Sequence, residues 1–305
     1  GNSSFGYSLG GFPGASSYVQ RIDYSNDSAT ATTKGPLSTP AWGMGSVSSM
    51  SGYGYYAGGG PGGSGTVVHR IEFANDTATA SARANMSTST GKVNGVSAQN
   101  NAMSSPLTFI PRIRWVDNLA ETPTSFPAGL GYWAGGYSNF TGITRYDFAN
   151  DTSTIVGSLT DPKFYVAAVS STTHGYFAGG QAPSPIAPTP WDETTSVDRL
   201  DYANDSATSS PKGPLANARN RCSAAGNTDY GWVAGAYITD PSSVNRIDYS
   251  NDTSTASPKG NLAAARGYHN ATGTLNYGYF AGGTPDGQFG PNSSTVQRID
   301  YGNDT

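Results

Sequence analysis

Two short sequence marks alternate along the whole chain, and this repetition limits the possible folds more than any other feature. The first mark is an aromatic strand that ends in small residues and glycine, and the second is an Arg-x-Asp/Glu-aromatic strand followed by a polar turn. The first begins at Gly6, Gly54, Gly131, Gly175, Gly231 and Gly278, and the second at Arg21, Arg70, Arg145, Arg199, Arg246 and Arg298. Repetition at this period is typical of ring-shaped or stacked repeat folds.

The spacing of the repeat predicts its architecture. Successive second marks are 49, 75, 54, 47 and 52 residues apart, so the unit is close to the length of one four-stranded propeller blade. We attribute the spacing of 75 to an insertion at residues 85–127. The prediction is an all-β, six-bladed β-propeller with four antiparallel strands per blade, forming a single domain over residues 1–305. The pairs of second and third strands are expected near residues 5–24, 53–73, 131–148, 175–202, 230–249 and 277–301.

Composition agrees with this prediction and excludes several classes of partner. The chain has 40 Gly, 19 Tyr and only 12% charged residues, which suits short strands and tight turns rather than long amphipathic helices. A net charge of −4 offers no basic patch, so we expect no nucleic-acid partner. No long apolar run is present, so we expect no membrane span. Cys222 is the only cysteine, which excludes an internal disulfide.

The order of marks resembles the kelch family of β-propeller repeats. A Gly doublet follows the aromatic strand, then come a Tyr- and Asp-bearing strand, a polar turn and a Leu-x-x-Ala-Arg segment, as in "GYFAGG…VQRIDYGNDT" and "LAAAR". The likeness covers nearly the whole chain and implies a propeller. The chain departs from the kelch pattern after the turn, where threonine replaces the usual tryptophan at Thr30, Thr79, Thr208 and Thr255. The sequence of the repeat is also similar to degenerate propeller repeats of aquatic phage and microbial surface proteins.

The repeat predicts how the ring is closed. Second and third strands occur six times, whereas the fourth-strand and first-strand segments occur only between consecutive pairs. Propellers commonly close through a blade shared between chain segments, which removes exposed sheet edges. We therefore expect strands from a continuing or neighbouring chain to complete the first and last blades; a seam that tolerates an incomplete blade is the alternative.

Glycosylation sequons accompany the repeated turn. Asn-x-Ser/Thr matches recur at one repeat position, and others are scattered, against about five expected by chance. The repeated turn is equally well explained as a hairpin turn, because Asn and Asp tolerate left-handed backbone and a hydroxyl can cap it. The repeated candidates are Asn26, Asn75, Asn150, Asn204, Asn251 and Asn303, and the others are Asn2, Asn85, Asn139, Asn270 and Asn292.

The second mark also places an arginine two positions before an acid. Because alternate strand residues share a face, we expect structural Arg–carboxylate bonds within or between blades. The residues concerned are Arg21 and Asp23, Arg70 and Glu72, Arg145 and Asp147, Arg199 and Asp201, Arg246 and Asp248, and Arg298 and Asp300.

Catalytic and metal signals are weak in this sequence. His69, His174 and His269 occupy unlike repeat positions, no His pair has metal spacing, and the copper-oxidase ligand set and sialidase Asp-box of other propellers have no matching residues. We therefore expect no enzyme activity, no metal and no cofactor.

Two irregular segments are candidate interfaces: the insertion, with Phe109 and Trp115, and the Pro-rich loop 181–195, with Trp191.

These features favour a non-enzymatic structural module of an extracellular fibre or surface filament. Such a module would contact other copies of itself in a head-to-tail or tandem array and would carry N-linked sugar at the repeated turns. The alternative is a carbohydrate- or receptor-binding propeller of a phage tail fibre or adhesin. A binding module should concentrate exposed Trp and Tyr on one loop face, whereas a fibre unit should carry its irregular segments at both ends of the ring axis.

Overall fold

Six antiparallel β-sheets surround a central channel in the computed structural model of the chain, which confirms the predicted six-bladed β-propeller. The structure describes residues 1–11, 15–49, 52–60, 65–97, 129–137, 141–184, 191–237, 240–285 and 292–304. Each of these six sheets is one blade, and its strands are hydrogen-bonded in chain order; a separate two-stranded hairpin lies between the second and third strands of blade 4.

The strands follow the repeat. Blade 1 contains β1 (Phe5–Leu9), β2 (Val19–Asp23) and β3 (Thr32–Thr33), and blade 2 contains β4 (Gly45–Ser48), β5 (Tyr53–Ala57), β6 (Val68–Glu72) and β7 (Ser81–Ala82). Blade 3 contains β8 (Asn94–Ser97), β9 (Leu130–Ala134), β10 (Gly142–Asp147) and β11 (Thr152–Ser158). Blade 4 contains β12 (Ala167–Ser170), β13 (His174–Ala178), a small hairpin of β14 (Gln181–Pro183) and β15 (Trp191–Glu193), then β16 (Val197–Asp201) and β17 (Ser210–Lys212). Blade 5 contains β18 (Ser223–Gly226), β19 (Tyr230–Ala234), β20 (Val244–Asp248) and β21 (Ser257–Lys259), and blade 6 contains β22 (Asn270–Gly273), β23 (Tyr277–Ala281) and β24 (Val296–Asp300). Short 3-10 turns follow the third strand at Tyr24–Asn26, Phe73–Asn75, Tyr202–Asn204 and Tyr249–Asn251.

By their place in the repeat, the strands of blade 1 are its second, third and fourth, and those of blade 6 are its first, second and third. The second strands β1, β5, β9, β13, β19 and β23 and the third strands β2, β6, β10, β16, β20 and β24 lie in the segments predicted for them. Two predicted boundaries change. Residues 94–97 belong to blade 3 rather than to an insertion, because they form its first strand β8. The ends of the predicted loop 181–195 pair as the hairpin β14–β15.

The ring has two faces. Second strands run towards one face and third strands run away from it, so the loops between them and the segments that enter the first strands share that face, here called the loop face. The turns between first and second strands and the Asn-Asp turns share the opposite face, here called the turn face. Pairing fixes this arrangement: Ser223 at the start of β18 pairs with Ala234 at the end of β19, which pairs with Val244 at the start of β20.

A repeated ion pair joins each blade to the next one. The arginine of each third strand contacts the aspartate of the Asn-Asp turn in the following blade, with N–O distances between 2.7 and 3.6 Å. In five junctions the Tyr or Trp of the second strand also donates a hydrogen bond to that carboxylate. The six pairs are Arg21–Asp76, Arg70–Asp151, Arg145–Asp205, Arg199–Asp252, Arg246–Asp304 and Arg298–Asp27.

This arrangement corrects the predicted partners of the arginines. The acid two positions after each arginine belongs to the start of the turn instead. Asp23, Asp201 and Asp248 accept a hydrogen bond from the backbone N–H two residues later and so cap the 3-10 turn. Asp147 and Asp300 accept the corresponding bonds in blades 3 and 6. Glu72 occupies the capping position without a side-chain cap bond. The short Asp side chain can reach the backbone N–H of its own turn. The longer arginine side chain extends across the junction to the aspartate of the next blade.

Aromatic rings stack across the same junctions. The second-strand aromatic of each blade stacks on the ring that ends the third-strand mark of the next blade, with centroids 4.0 to 5.3 Å apart. Such pairs each contribute about 0.5–1.5 kcal/mol beyond the area that they bury. The pairs are Tyr7–Phe73, Tyr55–Phe148, Tyr132–Tyr202, Tyr176–Tyr249, Trp232–Tyr301 and Tyr279–Tyr24.

The stacked ring also explains the glycine that opens the aromatic mark. A Cβ added at Gly131 would lie 2.8 Å from the ring of Phe148 and 2.8 Å from Val47 of the preceding blade. Only glycine leaves room for the ring between the two blades. The buried apolar clusters lie between consecutive blades, so the core consists of layers between sheets.

Blade 6 contacts blade 1 directly. β22 packs beside β1, and the Asn270 side-chain amide donates a hydrogen bond of 3.1 Å to Ser8 Oγ. Tyr24 Oη and Thr272 Oγ1 are 2.6 Å apart across the same junction. The ring therefore closes through the described residues, with three strands in each of the two flanking blades. The expectation that further strands complete those blades stays a prediction.

Candidate binding site at the channel mouth

A ring of left-handed residues surrounds the channel at the loop face. The residue two positions before each first strand has a positive φ, between 53° and 72°. In blades 3 to 6 its N–H donates to the carbonyl of the corresponding residue in the preceding blade at 2.7 to 3.2 Å, which joins these blades through their backbones. Four of the five are not glycine, and left-handed backbone is uncommon for such residues. The five are Gly43, Lys92, Tyr165, Arg221 and Tyr268.

Two cations of this ring lie against aromatic faces. Lys92 Nζ is 4.0 Å from the ring centroid of Tyr137 and 4.9 Å from that of Tyr165. The Arg221 guanidinium is 3.7 Å from the centroid of Tyr237 and 4.7 Å from that of Tyr165. The two cations therefore flank one tyrosine, and cation–π attraction holds them at the channel mouth.

Further aromatic side chains extend this cluster. Trp42 lies 5.6 Å from Lys92 Nζ, and Tyr268 lies 4.8 Å from the Arg221 guanidinium and meets Tyr165 edge-on. Burial raises the pKa of the Tyr268 phenol, so it stays neutral and can donate a hydrogen bond. The other loops contribute Tyr137, which is 47% exposed, and Tyr18, which is 70% exposed on the same face.

Lys92 and Arg221 differ from the other cations of the described chain. The remaining described lysines and arginines either form ion pairs with aspartate or, at Arg219 and Arg266, donate to backbone carbonyls of their own blade. No carboxylate within 4 Å pairs with Lys92 or Arg221 among the described residues. The channel mouth thus holds two positive charges that lack a carboxylate partner in the described chain.

A cavity of about 230 Å³ extends from this mouth into the channel. Trp42, Lys92 and Arg221 line its entrance, and small residues of the first strands, such as Ala168 and Ala224, line its wall. The first strands β12 and β18 consist mostly of small residues. A concave site with aromatic walls and a few converging polar groups is typical of ligand-binding sites.

The predicted interface residues fall partly on this face. Trp191 lies on β15 of the loop face, half-buried, with its ring edge-on to Phe164 at 5.0 Å. Phe109 and Trp115 lie outside the described residues.

The six repeated sequon asparagines all lie exposed on the turn face. In three turns the sequon hydroxyl lies 3.4 Å from the asparagine Oδ1: Ser28 on Asn26, Thr77 on Asn75 and Ser206 on Asn204. In the turns of blades 3 and 6, the side-chain amides of Asn150 and Asn303 donate instead to Asp147 and Asp300. Asn251 is exposed without such a bond among those described.

The scattered sequons have mixed surroundings. Asn85 and Asn292 are exposed and Asn2 is half-buried, whereas Asn270 lies on β22 and lines the channel. Asn139 lies outside the described residues.

Histidine and cysteine side chains form no reactive centre in the described chain. Burial raises the pKa of the Cys222 thiol to about 11 and lowers the pKa of the His269 imidazole to about 3, so both are neutral at pH 7. His69 and His174 lie on different blades. Over the described ranges, no three His, Cys, Asp or Glu side chains form a group that could hold a metal ion. The described chain also lacks a helix with the length and apolar character needed to cross a bilayer.

Sequence reasoning missed the channel mouth. One repeat position is occupied by residues of different chemical type, so a comparison of the repeats for identical residues does not detect it. These residues are Lys92, Tyr165, Arg221 and Tyr268. Aligning the blades at the small-residue strand would have shown that this position collects cations and aromatics.

Comparison with known proteins adds no family to this description. No protein-family profile matches the chain, and no curated protein resembles it at a significant level.

Proposed function

We propose that this propeller is a non-enzymatic binding module that holds an acidic carbohydrate at the channel mouth. The observation that carries the proposal is the pair of cations without carboxylate partners, Lys92 and Arg221, held among aromatic rings around a cavity. Aromatic faces pack against the apolar faces of sugar rings, and a guanidinium binds a carboxylate or sulfate through charge-assisted hydrogen bonds. Backbone hydrogen bonds between blades hold Lys92, Tyr165 and Arg221 in place, so little ordering is needed on binding.

The experiment is a glycan array that pairs uronate-bearing, sialylated and sulfated glycans with their neutral counterparts. We expect binding to be confined to acidic glycans. Lys92→Gln and Arg221→Gln should each weaken binding by about tenfold, the loss of one charge-assisted contact. Lys259→Gln on the outer strand of blade 5 removes the same charge away from the mouth and is the matched control.

Two results would overturn the proposal. One is the absence of binding to every acidic glycan, and the other is binding that Lys92→Gln and Arg221→Gln leave at the wild-type level. Binding of a protein receptor through the same residues would replace the sugar with a different ligand class.

A second candidate is a structural unit of an extracellular fibre, with other copies of itself as partners and sugar on the turn face. Its support is that the repeat is interrupted at both faces of the ring: the β14–β15 hairpin lies on the loop face, and the end of β8 and the start of β9, between which the repeat is longer than elsewhere, lie on the turn face. Contacts at both ends of one axis generate a filament when they do not close. Sedimentation velocity tests this candidate, because a fibre unit forms larger species as its concentration rises, whereas a single species at all concentrations contradicts it.

A further inference from the structure

Lys92 and Arg221 approach Tyr165 from the two neighbouring blades. Lys92 precedes the first strand of blade 3, Tyr165 that of blade 4 and Arg221 that of blade 5. The Tyr165 N–H donates to the Lys92 carbonyl at 3.0 Å, and the Arg221 N–H donates to the Tyr165 carbonyl at 3.2 Å. These two bonds fix the order of the three residues around the channel mouth, so the ring of Tyr165 lies between the two cations.

Aromatic rings fix the position of each cationic group. Lys92 Nζ lies between 4.0 and 5.6 Å from four ring centroids, and the Arg221 guanidinium lies between 3.7 and 4.8 Å from three. Side chains that are held in this way lose little freedom when a ligand binds. The rings around Lys92 are Trp42, Tyr137, Phe164 and Tyr165, and those around Arg221 are Tyr165, Tyr237 and Tyr268.

The two cations are close enough to repel each other. Lys92 Nζ is 4.9 Å and the Arg221 guanidinium carbon 4.7 Å from the Tyr165 centroid, so the two are at most about 10 Å apart. Both side chains are half-buried, and charges in such surroundings are screened less than charges on an open surface. A ligand with one acidic group at one cation leaves the other uncompensated, whereas a ligand with two acidic groups neutralises both.

The cavity behind the mouth offers no further cationic side chain among the described residues. Of the residues that line it, Lys92 and Arg221 are the only lysine, arginine, aspartate or glutamate. Small and amide side chains, such as Ala168, Ala224 and Asn94, form the wall beyond them. An acidic group carried into the channel would lose its water without gaining a cation, which is costly. Both acidic groups of a ligand are therefore held at the entrance.

We propose that the channel mouth binds an oligosaccharide of consecutive uronic acids, with the carboxylate of one sugar residue at Lys92 and that of the next at Arg221. This inference rests on the proposed function and specifies its ligand. Consecutive uronic acids meet the requirement because each residue carries one carboxylate, so two neighbouring residues present a pair of negative charges. The planar guanidinium of Arg221 matches a carboxylate through two parallel hydrogen bonds, and the linkage between the two sugars crosses Tyr165.

The experiment compares digalacturonate with its monomethyl ester by isothermal titration calorimetry at low ionic strength. The two ligands have the same length and differ in one negative charge. We expect digalacturonate to bind about tenfold tighter, the gain from one charge-assisted contact. Lys92→Gln and Arg221→Gln should each reduce this ratio to less than about twofold, because a single cation remains. Lys259→Gln, on the outer strand of blade 5, is the matched control and should retain the tenfold ratio.

Three results would overturn the inference: no binding of digalacturonate, equal affinities of the two ligands for the wild-type protein, or a tenfold ratio that persists in Lys92→Gln or Arg221→Gln. The glycan array separates these failures from failure of the proposed function. Sialylated or sulfated glycans that bind through Lys92 and Arg221 while digalacturonate does not would overturn the uronate pair alone, whereas an array without any acidic ligand would remove both.

Discussion

Arg298 in blade 6 and Asp27 in blade 1 lie 2.7 Å apart although 271 positions separate them in the chain. The pair has the same geometry as Arg246–Asp304 between blades 5 and 6, and Tyr279 donates to Asp27 as Trp232 does to Asp304. The junction between blades 6 and 1, which closes the ring, thus has the same contacts as a junction between blades that follow each other in the sequence.

Removing the charge of the shared aspartate should destabilise the ring according to how deeply that aspartate is buried. Asp252 is 8% exposed and accepts contacts from Arg199, Lys212 and Tyr176, so Asp252→Asn leaves two cations uncompensated and should cost about 2–4 kcal/mol. Asp27 is 24% exposed, so Asp27→Asn should cost about 1 kcal/mol. Urea unfolding measures both losses, and equal losses would show that burial does not govern the strength of these junctions.

Filling the space that the stacked ring occupies should also destabilise the protein. Gly131→Ala places a methyl group against Phe148 and Val47, and overpacking of this kind costs about 1–3 kcal/mol. Gly302→Ala is the control, because its nearest atom is the Asp300 carboxylate at 3.2 Å and the site is exposed. Thermal unfolding should separate the two variants, and equal melting temperatures would contradict the steric explanation.

Acid should weaken the fold through His269. Burial lowers the pKa of this imidazole to about 3, below its usual value near 6.5. The unfolded chain therefore takes up the proton first, and stability contributed by the neutral side chain is lost as the pH falls from about 6.5 towards 3. At pH 5 the loss is about 2 kcal/mol.

His269→Val removes this term, and the equivalent residues Val93 and Val166 show that an apolar side chain fits the position. The difference in urea midpoint between the variant and the wild type should thus grow in favour of the variant between pH 7.5 and pH 5. A difference that is constant over this range would exclude His269 as the source.

The occupancy of each sequon by N-linked sugar should depend on the local geometry of its asparagine. Asn26, Asn75, Asn204 and Asn251 are exposed on the turn face and should show the highest occupancy. Asn150 and Asn303 donate their amides to Asp147 and Asp300 and should show less, and Asn270, inside the channel, should show none. Intact-glycopeptide mass spectrometry on native material gives the occupancies. Sugar at Asn270 would contradict the closed channel, and bare asparagines throughout would leave the repeated turns with a structural role alone.

The repeat made the fold predictable, because each mark corresponds to one strand and the period corresponds to one blade. The partner of Arg246 was not predictable in the same way. Asp248 is two residues away in the sequence, whereas Asp304 comes within reach only when the next blade packs at its particular angle. The channel mouth was harder still, since Lys92 and Arg221 meet at Tyr165 only after three blades are arranged in a ring.

The directional character of the Arg–Asp junction has a consequence for assembly. Each blade gives a guanidinium on one side and receives one on the other, so the contact is heterologous and always points the same way around the axis. Repetition of such a contact produces an open, unlimited array unless the rotation between successive units adds up to a full turn and brings the last unit into contact with the first. Here it returns after six steps, so the angle built into one junction sets the number of blades, and the polypeptide is in effect a cyclic hexamer whose subunits share one backbone.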